Sequence, residues 1–215
     1  MAAYFALLGF IAFMVGTPGP ANLLAMLAGV RQGLRGCIGF ISGLVFGKIL
    51  LNLLIGFGFG VVLSTQPMLQ TAFTLASATY MIWLAVRSWP RSLRKTPTQQ
   101  SDPVTQFRFR DGVIVHPLNP KAWLMVVLAW GNFAPAVGDF TLQLPVVIGS
   151  FVLCQLLFHS LWCGLGAYLG RSLADNHRLT KILILLTILV VLTALFHAPS
   201  AQPCAPLLCA ITGRH

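Results

Sequence analysis

Apolar residues fall into six blocks of about 20 residues or more, separated by short segments that carry most of the charges. An α-helix needs about 20 apolar residues to cross a bilayer, whereas strands of a membrane barrel would alternate over about 10 residues. The pattern therefore predicts an all-α polytopic membrane protein with six transmembrane helices. The predicted spans are 4–28, 36–63, 67–89, 112–133, 142–170 and 179–198.

Paired prolines interrupt two of these spans, in "TPGPAN" of the first and "HPLNPKAW" of the fourth. Proline lacks the N–H that would bond to the carbonyl four residues back. The carbonyls of Met14, Gly16, Val113 and His116 should therefore be unpaired. Broken helices at corresponding places in two halves are typical of transporters with a binding site near the midplane. Ordinary kinks are the alternative, because proline is frequent in membrane helices.

A polar segment, residues 91–110, divides the chain into two halves of three spans each. Half 1 covers about residues 1–90 and half 2 about residues 111–198, with an exposed tail at 199–215. Because three is an odd number, similar halves would insert with opposite topology, as 3+3 inverted repeats. We expect the two halves to form a single transmembrane domain over residues 1–215.

Composition and charge place the chain in the membrane. With 57% hydrophobic and 8% charged residues and a mean hydropathy of +0.83, it lies far from soluble averages. The net charge of +10 is concentrated around the first, third and fifth connections. Because basic loops stay cytoplasmic, both termini should be external. The net positive charge could also indicate nucleic-acid binding, but a nucleic-acid-binding protein would carry its basic residues on one soluble face. We therefore expect the lipid bilayer, and no nucleic acid, as a partner.

Lys48 lies about 12 residues into the second span, roughly 18 Å along a helix, which is deep for an ammonium group to reach the interface. A charge there costs about 2.5–3.5 kcal/mol on insertion scales and usually marks a pathway or a partner. The chain has no Glu, and its four acidic residues lie in or next to connections: Asp102, Asp111, Asp139 and Asp175. We therefore expect Lys48 or Lys121 to bind the carboxylate of a solute. A deprotonated Lys48, or one bonded to carbonyls, is the alternative.

Polar residues of the predicted spans also suggest which groups would bind the ammonium of an amino acid and which would carry protons. The ammonium of an amino acid would be received by Asn22, Asn52 or the freed carbonyls. A second cation within about 4 Å of a lysine would cost about 4 kcal/mol at an effective dielectric near 20, so a neutral or acidic solute is favoured. Candidates for proton coupling are Asp111, His116 and His159, because histidine changes its charge near neutral pH. Gln155 lies four residues before His159 and shares its helix face.

Three stretches carry a family resemblance: "TPGPANLLAML", "GVRQGLRGCIGFISGLVFG" and "FRDGVIVHPLNPKAWLMVVLAW". Over about residues 5–197 the chain resembles the LysE/RhtB family of amino-acid exporters. The resemblance implies a six-helix protein of the bacterial inner membrane that exports an amino acid or derivative in exchange for protons. The positions that match the family motifs are Pro18, Gly19, Pro20, Asn119, Pro120 and Lys121. The chain departs from the family pattern at Lys48, where relatives usually carry an uncharged or acidic residue.

Glycines recur every four residues at Gly39, Gly43 and Gly47, and at Gly166 and Gly170. Small residues at this spacing let membrane helices approach closely, so we expect these positions to pack against other helices. The five tryptophans lie mostly near predicted span ends, where such residues anchor a protein at the membrane interface.

The cysteines show no metal-ligand spacing. Cys37, Cys154 and Cys163 lie at or within spans and are expected to be small packing residues. Cys204 and Cys209, in the external tail, could form a disulfide in an oxidising compartment. No metal and no cofactor are expected.

Two other classes of function remain as alternatives to a transporter. An intramembrane enzyme would need a nucleophile with a base, a carboxylate pair or a metal cluster, and G-x-S-x-G and H-E-x-x-H are both absent from the sequence. A structural subunit of a larger complex would explain the small loops but not the paired breaks. The broken helices thus predict a secondary transporter that works by alternating access. The resemblance implies that it exports a small amino acid or amino-acid derivative by proton antiport, and the charge of the lysines favours a neutral one. A homo-oligomer is left open.

Overall fold

The computed structural model describes residues 1–59, 67–89, 106–172 and 176–196. The regular elements within these ranges are all helical, so the predicted all-α class is confirmed. The elements are α1 (Ala2–Gly16), α2 (Pro20–Gly36), α3 (Ile38–Gly56), α4 (Pro67–Arg87), α5 (Phe109–Val115), α6 (Pro120–Leu128), a π turn (Ala129–Phe133), a 3-10 turn (Ala134–Ala136), α7 (Phe140–Ser172) and α8 (Asn176–Phe196). Residues 60–66, 90–105, 173–175 and 197–215 lie outside the described ranges, and with them most of the polar divider and the whole tail.

Both predicted breaks are confirmed. Helices α1 and α2 meet at 55°, and α5 meets the segment Pro120–Ala136 at 60°. Among the described residues, α3 and α7 are long and apolar enough to cross a membrane, and each bent pair also qualifies when taken as one broken span. Helices α4 and α8 coincide with the third and sixth predicted spans. As membrane spans these two remain predictions, as does the inverted topology of the halves.

Local sequence explains where each broken helix resumes. Helix α2 begins at Pro20 and α6 begins at Pro120. At the first helical position the missing N–H of proline costs little, because a helix start leaves that group without an intrahelical partner anyway. Asn119 caps α6, and its side-chain oxygen accepts a hydrogen bond from the backbone N–H of Lys121 at 3.0 Å.

Glycines hold two pairs of helices in backbone contact. A Cβ at Gly29 would overlap a carbonyl of α7, and one at Gly166 would overlap a carbonyl of α2. Likewise, Gly43 and Gly47 of α3 face carbonyls of α5, and Gly112 of α5 faces a carbonyl of α3. The predicted close packing is thus confirmed at Gly43, Gly47 and Gly166. Each seam joins a helix of the first half to a helix of the second half.

Two of the cysteines do not act as separate packing residues. Cys37, between α2 and α3, is joined to Cys163 of α7 in a disulfide, and both residues are fully buried. The expectation that they pack independently is therefore wrong, because the α2–α7 seam brings them together from 126 positions apart. Cys154 is free and buried, as expected. The Cys204 and Cys209 pairing lies outside the described residues.

The buried apolar residues form two clusters. The first includes Leu24, Leu27, Phe40, Leu44, Leu84 and Ile184. The second includes Leu7, Ile11, Leu51, Val126, Val147 and Phe151. In the second, fourth and fifth spans, buried polar residues lie between the positions of one cluster and those of the other: Lys48, His116, Asn119, Gln155 and His159. In the first span the buried Asn22 follows Ala21, the first residue of that span in the first cluster. We call these six residues the polar layer.

Candidate functional site

A small cavity opens where the two helix breaks meet, within the polar layer. Its volume is about 20 Å³, enough for about one water molecule. The lining residues are Met14, Val15, Gly19, Ala21, Asn22, His116, Asn119, Lys121, Met125, Gln155 and His159. Six of the predicted site residues are therefore brought together: Gly19, Asn22, His116, Asn119, Lys121 and His159. Six others are not among the lining residues: Pro18, Pro20, Lys48, Asn52, Asp111 and Pro120.

A chain of buried polar side chains crosses the site from α2 to α7. Asn22 Oδ1 lies 2.9 Å from His159 Nδ1, and the Nε2 atoms of His159 and His116 are 3.3 Å apart. Gln155 Nε2 lies 2.9 Å from His116 Nε2. Because the amide nitrogen of Asn22 is used elsewhere, its oxygen faces His159, so Nδ1 of that ring must donate. A neutral His159 then presents Nε2 as an acceptor. Nε2 of His116 is also an acceptor, because the amide nitrogen of Gln155 can only donate to it. Two acceptors therefore face each other, and one added proton can lie between the rings.

The prediction that break 1 leaves two carbonyls unpaired is wrong. Thr17 Oγ1 donates to the carbonyl of Met14 at 3.1 Å, and Trp162 Nε1 donates to that of Gly16 at 3.2 Å. Side chains thus replace the backbone N–H groups that proline removes. Trp162 was expected to anchor the protein at the membrane interface, but its indole instead supports the break from α7.

The remaining carbonyls of break 1 are also occupied. Asn22 Nδ2 donates to the carbonyls of Val15 and Thr17, both at 2.8 Å. Lys121 Nζ approaches the carbonyl of Thr17 at 3.1 Å, its hydroxyl at 2.8 Å and the carbonyl of Pro18 at 3.3 Å. The ammonium of Lys121 is therefore held by oxygens of Thr17 and Pro18, which the sequence pattern did not single out. The two carbonyls of break 1 that were expected to receive the ammonium of a solute are bonded to Thr17 and Trp162 instead.

Break 2 is supported mostly by its own backbone. The N–H of Asn119 donates to the carbonyl of His116 at 3.0 Å, so the prediction that this carbonyl is unpaired is wrong. The carbonyl of Val113 faces α3 at Gly47, where a side chain would overlap it. The bend thus places His116 and Asn119 on the cavity wall.

Lys48 is buried in the polar layer without a hydrogen-bond partner. It is 1% exposed, and among the described residues Nζ meets no acceptor, although it lies 5.0 Å from the ring centroid of Phe151. Three other buried atoms in this region also lack a partner: His116 Nδ1, Ser150 Oγ and Gln155 Oε1. Unsatisfied buried groups each cost about 1–3 kcal/mol, and two of these residues, His116 and Gln155, line the cavity.

Asn52 does not serve the ammonium of Lys48. Its amide nitrogen donates to the backbone carbonyl of Lys48 at 3.0 Å, and its oxygen accepts from Trp130 Nε1 at 3.2 Å. Although Asn52 lies one turn after Lys48, its oxygen accepts from Trp130 and Lys48 Nζ has no acceptor among the described residues. A bond from Asn52 to the ammonium of a substrate remains a prediction.

Asp111 lies apart from the histidines. Its carboxylate caps α5 by accepting from the N–H of Arg108 at 2.8 Å, and it forms an ion pair with Arg87 at 3.4 Å. It does not line the cavity. Of the three candidates for proton coupling, the structure therefore brings together only His116 and His159.

Sequence reasoning missed the two residues that complete break 1. Thr17 directly precedes the proline pair, and a hydroxyl at that position is a local signal that could have been used. Trp162 gives no comparable signal, because its partner lies 146 positions away.

Comparison with known proteins gives one family and several distant relatives. Residues 12–198 match the family model described as LysE type translocator. A leucine efflux protein of Enterobacter sp. (strain 638) is 24% identical over 192 residues, which cover 85% of this chain and 90% of that protein. A homoserine/homoserine lactone efflux protein of Salmonella typhimurium is 25% identical over 118 residues, 54% of this chain and 57% of that protein. No solved structure gives a significant match.

Proposed function

Because the chain belongs to the family of LysE type translocators, we propose that it exports a small amino acid or derivative across the cytoplasmic membrane in exchange for protons. The observation that carries this proposal is the polar cavity at the meeting point of two broken helices. Such breaks place backbone and side-chain polar groups near the midplane, where transporters bind their substrates. The relatives named for leucine and homoserine efflux favour amino-acid export.

The charges around the cavity favour a neutral substrate. Lys121 lines the cavity and Lys48 is buried in the same polar layer. Among the described residues, those lining the cavity include none that is acidic. A lysine-like side chain near either ammonium would cost about 4 kcal/mol at 4 Å and an effective dielectric near 20. A carboxylate would instead be attracted, and the ammonium of Lys48 has a donor free to receive it.

Proton antiport is assigned to the histidine pair. One added proton can lie between the Nε2 atoms of His116 and His159, and the hydrogen bond to Asn22 fixes the orientation of the His159 ring. A proton that adds to this pair places a new positive charge next to the cavity. That charge would weaken the binding of an ammonium-bearing substrate and so link proton entry to substrate release.

Alternating access needs contacts between the halves that can open and close. At the end that the charge pattern predicts to be cytoplasmic, the Gln32 side chain pairs with the backbone of Phe107 at 2.9 and 3.1 Å. The α3–α5 glycine seam closes the same end, whereas the Cys37–Cys163 disulfide ties α7 to the α2–α3 junction. We assign the cytoplasmic gate to the Gln32–Phe107 contacts and the α3–α5 seam, with both chain termini on the external side.

Efflux from inverted vesicles loaded with a panel of labelled amino acids tests the proposal, with and without a proton uncoupler. We expect uncoupler-sensitive transport of a neutral amino acid and none of lysine or arginine. Vesicles without the protein provide the background. If a folded protein at normal abundance transports no member of the panel, the proposal is refuted and a structural role in a membrane complex is favoured.

A further inference from the structure

The ammonium of Lys121 sits in a site with three oxygen acceptors. The carbonyl of Thr17, the hydroxyl of Thr17 and the carbonyl of Pro18 lie 3.1, 2.8 and 3.3 Å from Nζ. A primary ammonium has three N–H donors, so the number of acceptors matches it. The hydroxyl of Thr17 donates its own proton to the carbonyl of Met14 at 3.1 Å, which leaves its lone pairs for the ammonium.

The path of the Lys121 side chain depends on Gly19. A Cβ on Gly19 would lie 3.1 Å from Lys121 Cδ and 3.2 Å from Nζ. The φ of Gly19 is −170°, which any residue can adopt, so the absent side chain provides space and not backbone freedom. Both residues line the cavity. The lysine side chain therefore occupies room beside the cavity that another molecule could use.

We infer that the three oxygens of Thr17 and Pro18 form the subsite for the ammonium of the transported substrate, and that Lys121 occupies it as an intramolecular competitor. The inference rests on the proposed function, because an amino acid carries the same primary ammonium group. Exchange of one ammonium for the other keeps the number of hydrogen bonds constant. Lysine has a flexible stem with a strongly hydrated head, and the half-buried side chain of Lys121 can release the subsite toward solvent.

A cavity of about 20 Å³ has no room for an amino acid while Lys121 lies beside it. Removal of Lys121 without a replacement would take one donor from each of the three oxygens, although the carbonyl of Thr17 would keep its bond from Asn22 Nδ2 at 2.8 Å. The loss of these bonds is unfavourable. The lysine thus keeps the subsite satisfied between transport events. A substrate that brings its own ammonium can take its place.

The first experiment measures thermal unfolding of purified Lys121→Ala protein with propylammonium as the probe. We expect a midpoint several degrees below that of the wild type, raised by propylammonium, which supplies the lost group. Tetramethylammonium has the same charge but no N–H, so it should have no such effect. Lys181→Ala, an exposed lysine of α8, is the matched control. If both cations act equally on Lys121→Ala, the three oxygens are not an ammonium subsite.

The second experiment measures binding of L-leucine, and of any other amino acid that the efflux panel identifies, to Lys121→Met protein. If Lys121 holds the subsite about nine-tenths of the time, its removal should lower the Kd about tenfold. Binding of 4-methylpentanoate, which lacks the ammonium of leucine, should not tighten. Thr17→Val added to Lys121→Met should reverse the gain, whereas Thr17→Ser should keep it.

If Lys121→Met does not fold, Lys121→Gln replaces it in the binding experiment, because glutamine keeps two N–H donors. Lys121→Gln should show a smaller gain in affinity for the amino acid. Unchanged or weaker amino-acid binding in the folded variants would mean that Lys121 is a permanent support of the break, and would overturn the inference alone. Failure of the wild type to transport any amino acid would instead refute the proposed function.

Discussion

Replacement of Lys48 by Met should make the protein more stable and abolish efflux or change its substrate preference. Lys48 is 1% exposed, and among the described residues its ammonium has no hydrogen-bond acceptor. The ring of Phe151, 5.0 Å away, is its nearest compensation. Methionine keeps the unbranched shape of the lysine stem and removes the charge. The substitution therefore separates the effect of the buried ammonium on stability from its effect on transport.

The expected gain in stability follows from these contacts. A lysine at the centre of a membrane helix costs about 2.5–3.5 kcal/mol. A desolvated cation over an aromatic ring recovers about 0.5–2 kcal/mol. The difference leaves a net cost of about 0.5–3 kcal/mol for Lys48. Since 1 kcal/mol shifts the Tm of a protein of this size by about 2–4 °C, Lys48→Met should raise the Tm by about 1–12 °C.

The assay combines thermal unfolding of the purified variant, followed by tryptophan fluorescence, with efflux from vesicles that contain equal amounts of protein. Lys181→Met, which removes an exposed lysine of α8, should change neither measurement. Near-normal efflux kinetics in Lys48→Met would refute the carboxylate-binding role. A lowered Tm would show that the ammonium is satisfied in the folded protein, and the reasoning from burial would then be wrong.

Three further substitutions test other parts of the structure. Gly43→Ala should destabilise the protein by about 1–3 kcal/mol, because its Cβ would overlap a carbonyl of α5, whereas Gly9→Ala meets open space and should leave the Tm unchanged or higher. His159→Gln should remove the uncoupler-sensitive part of efflux while downhill exchange persists, which labelled counterflow can measure; unchanged sensitivity would exclude this histidine as the proton carrier. Asp111→Asn should lower stability by about 1.5–3 kcal/mol, seen as a reduced Tm, because the buried carboxylate loses its charged bonds to Arg87 and to the N–H of Arg108; it should leave coupling intact, since Asp111 lies outside the cavity.

Local rules were enough to predict the helix breaks but not the groups that repair them. A proline removes a known donor from a known carbonyl, so Pro18 and Pro20 mark break 1 whatever surrounds it. Which side chain replaces the donor depends on the packing of distant helices. Trp162 approaches from 146 positions away, and Lys121 from 104. No periodicity in the sequence specifies either contact.

In the polar layer, too, some features could be predicted from the sequence and others could not. Burial of Lys48 could be predicted from its depth in an apolar run, because the cost of a membrane charge depends on depth. The proximity of His116 to His159, 43 positions apart, could not, since it requires α5 and α7 to lie beside each other. Pairing of Cys37 with Cys163 was missed for the same reason. The glycines predicted which faces pack closely, but not which helices they meet.

The two glycine seams also constrain how the protein is made. Helix α3 packs against α5, and α2 packs against α7, so each pairs with a helix from the other half of the chain. About 140 residues separate Met26 from its contact at Gly166, which at about 5–20 residues per second takes roughly 7–28 s to synthesise. During that interval the glycine face of α2 is exposed in the bilayer, and the face of α3 is exposed until α5 follows about 66 residues after Gly43. Lys48 of α3 remains without its aromatic contact for longer, because Phe151 belongs to α7. The early helices must therefore be shielded, by the insertion machinery or by lipid, until their partners emerge from the ribosome.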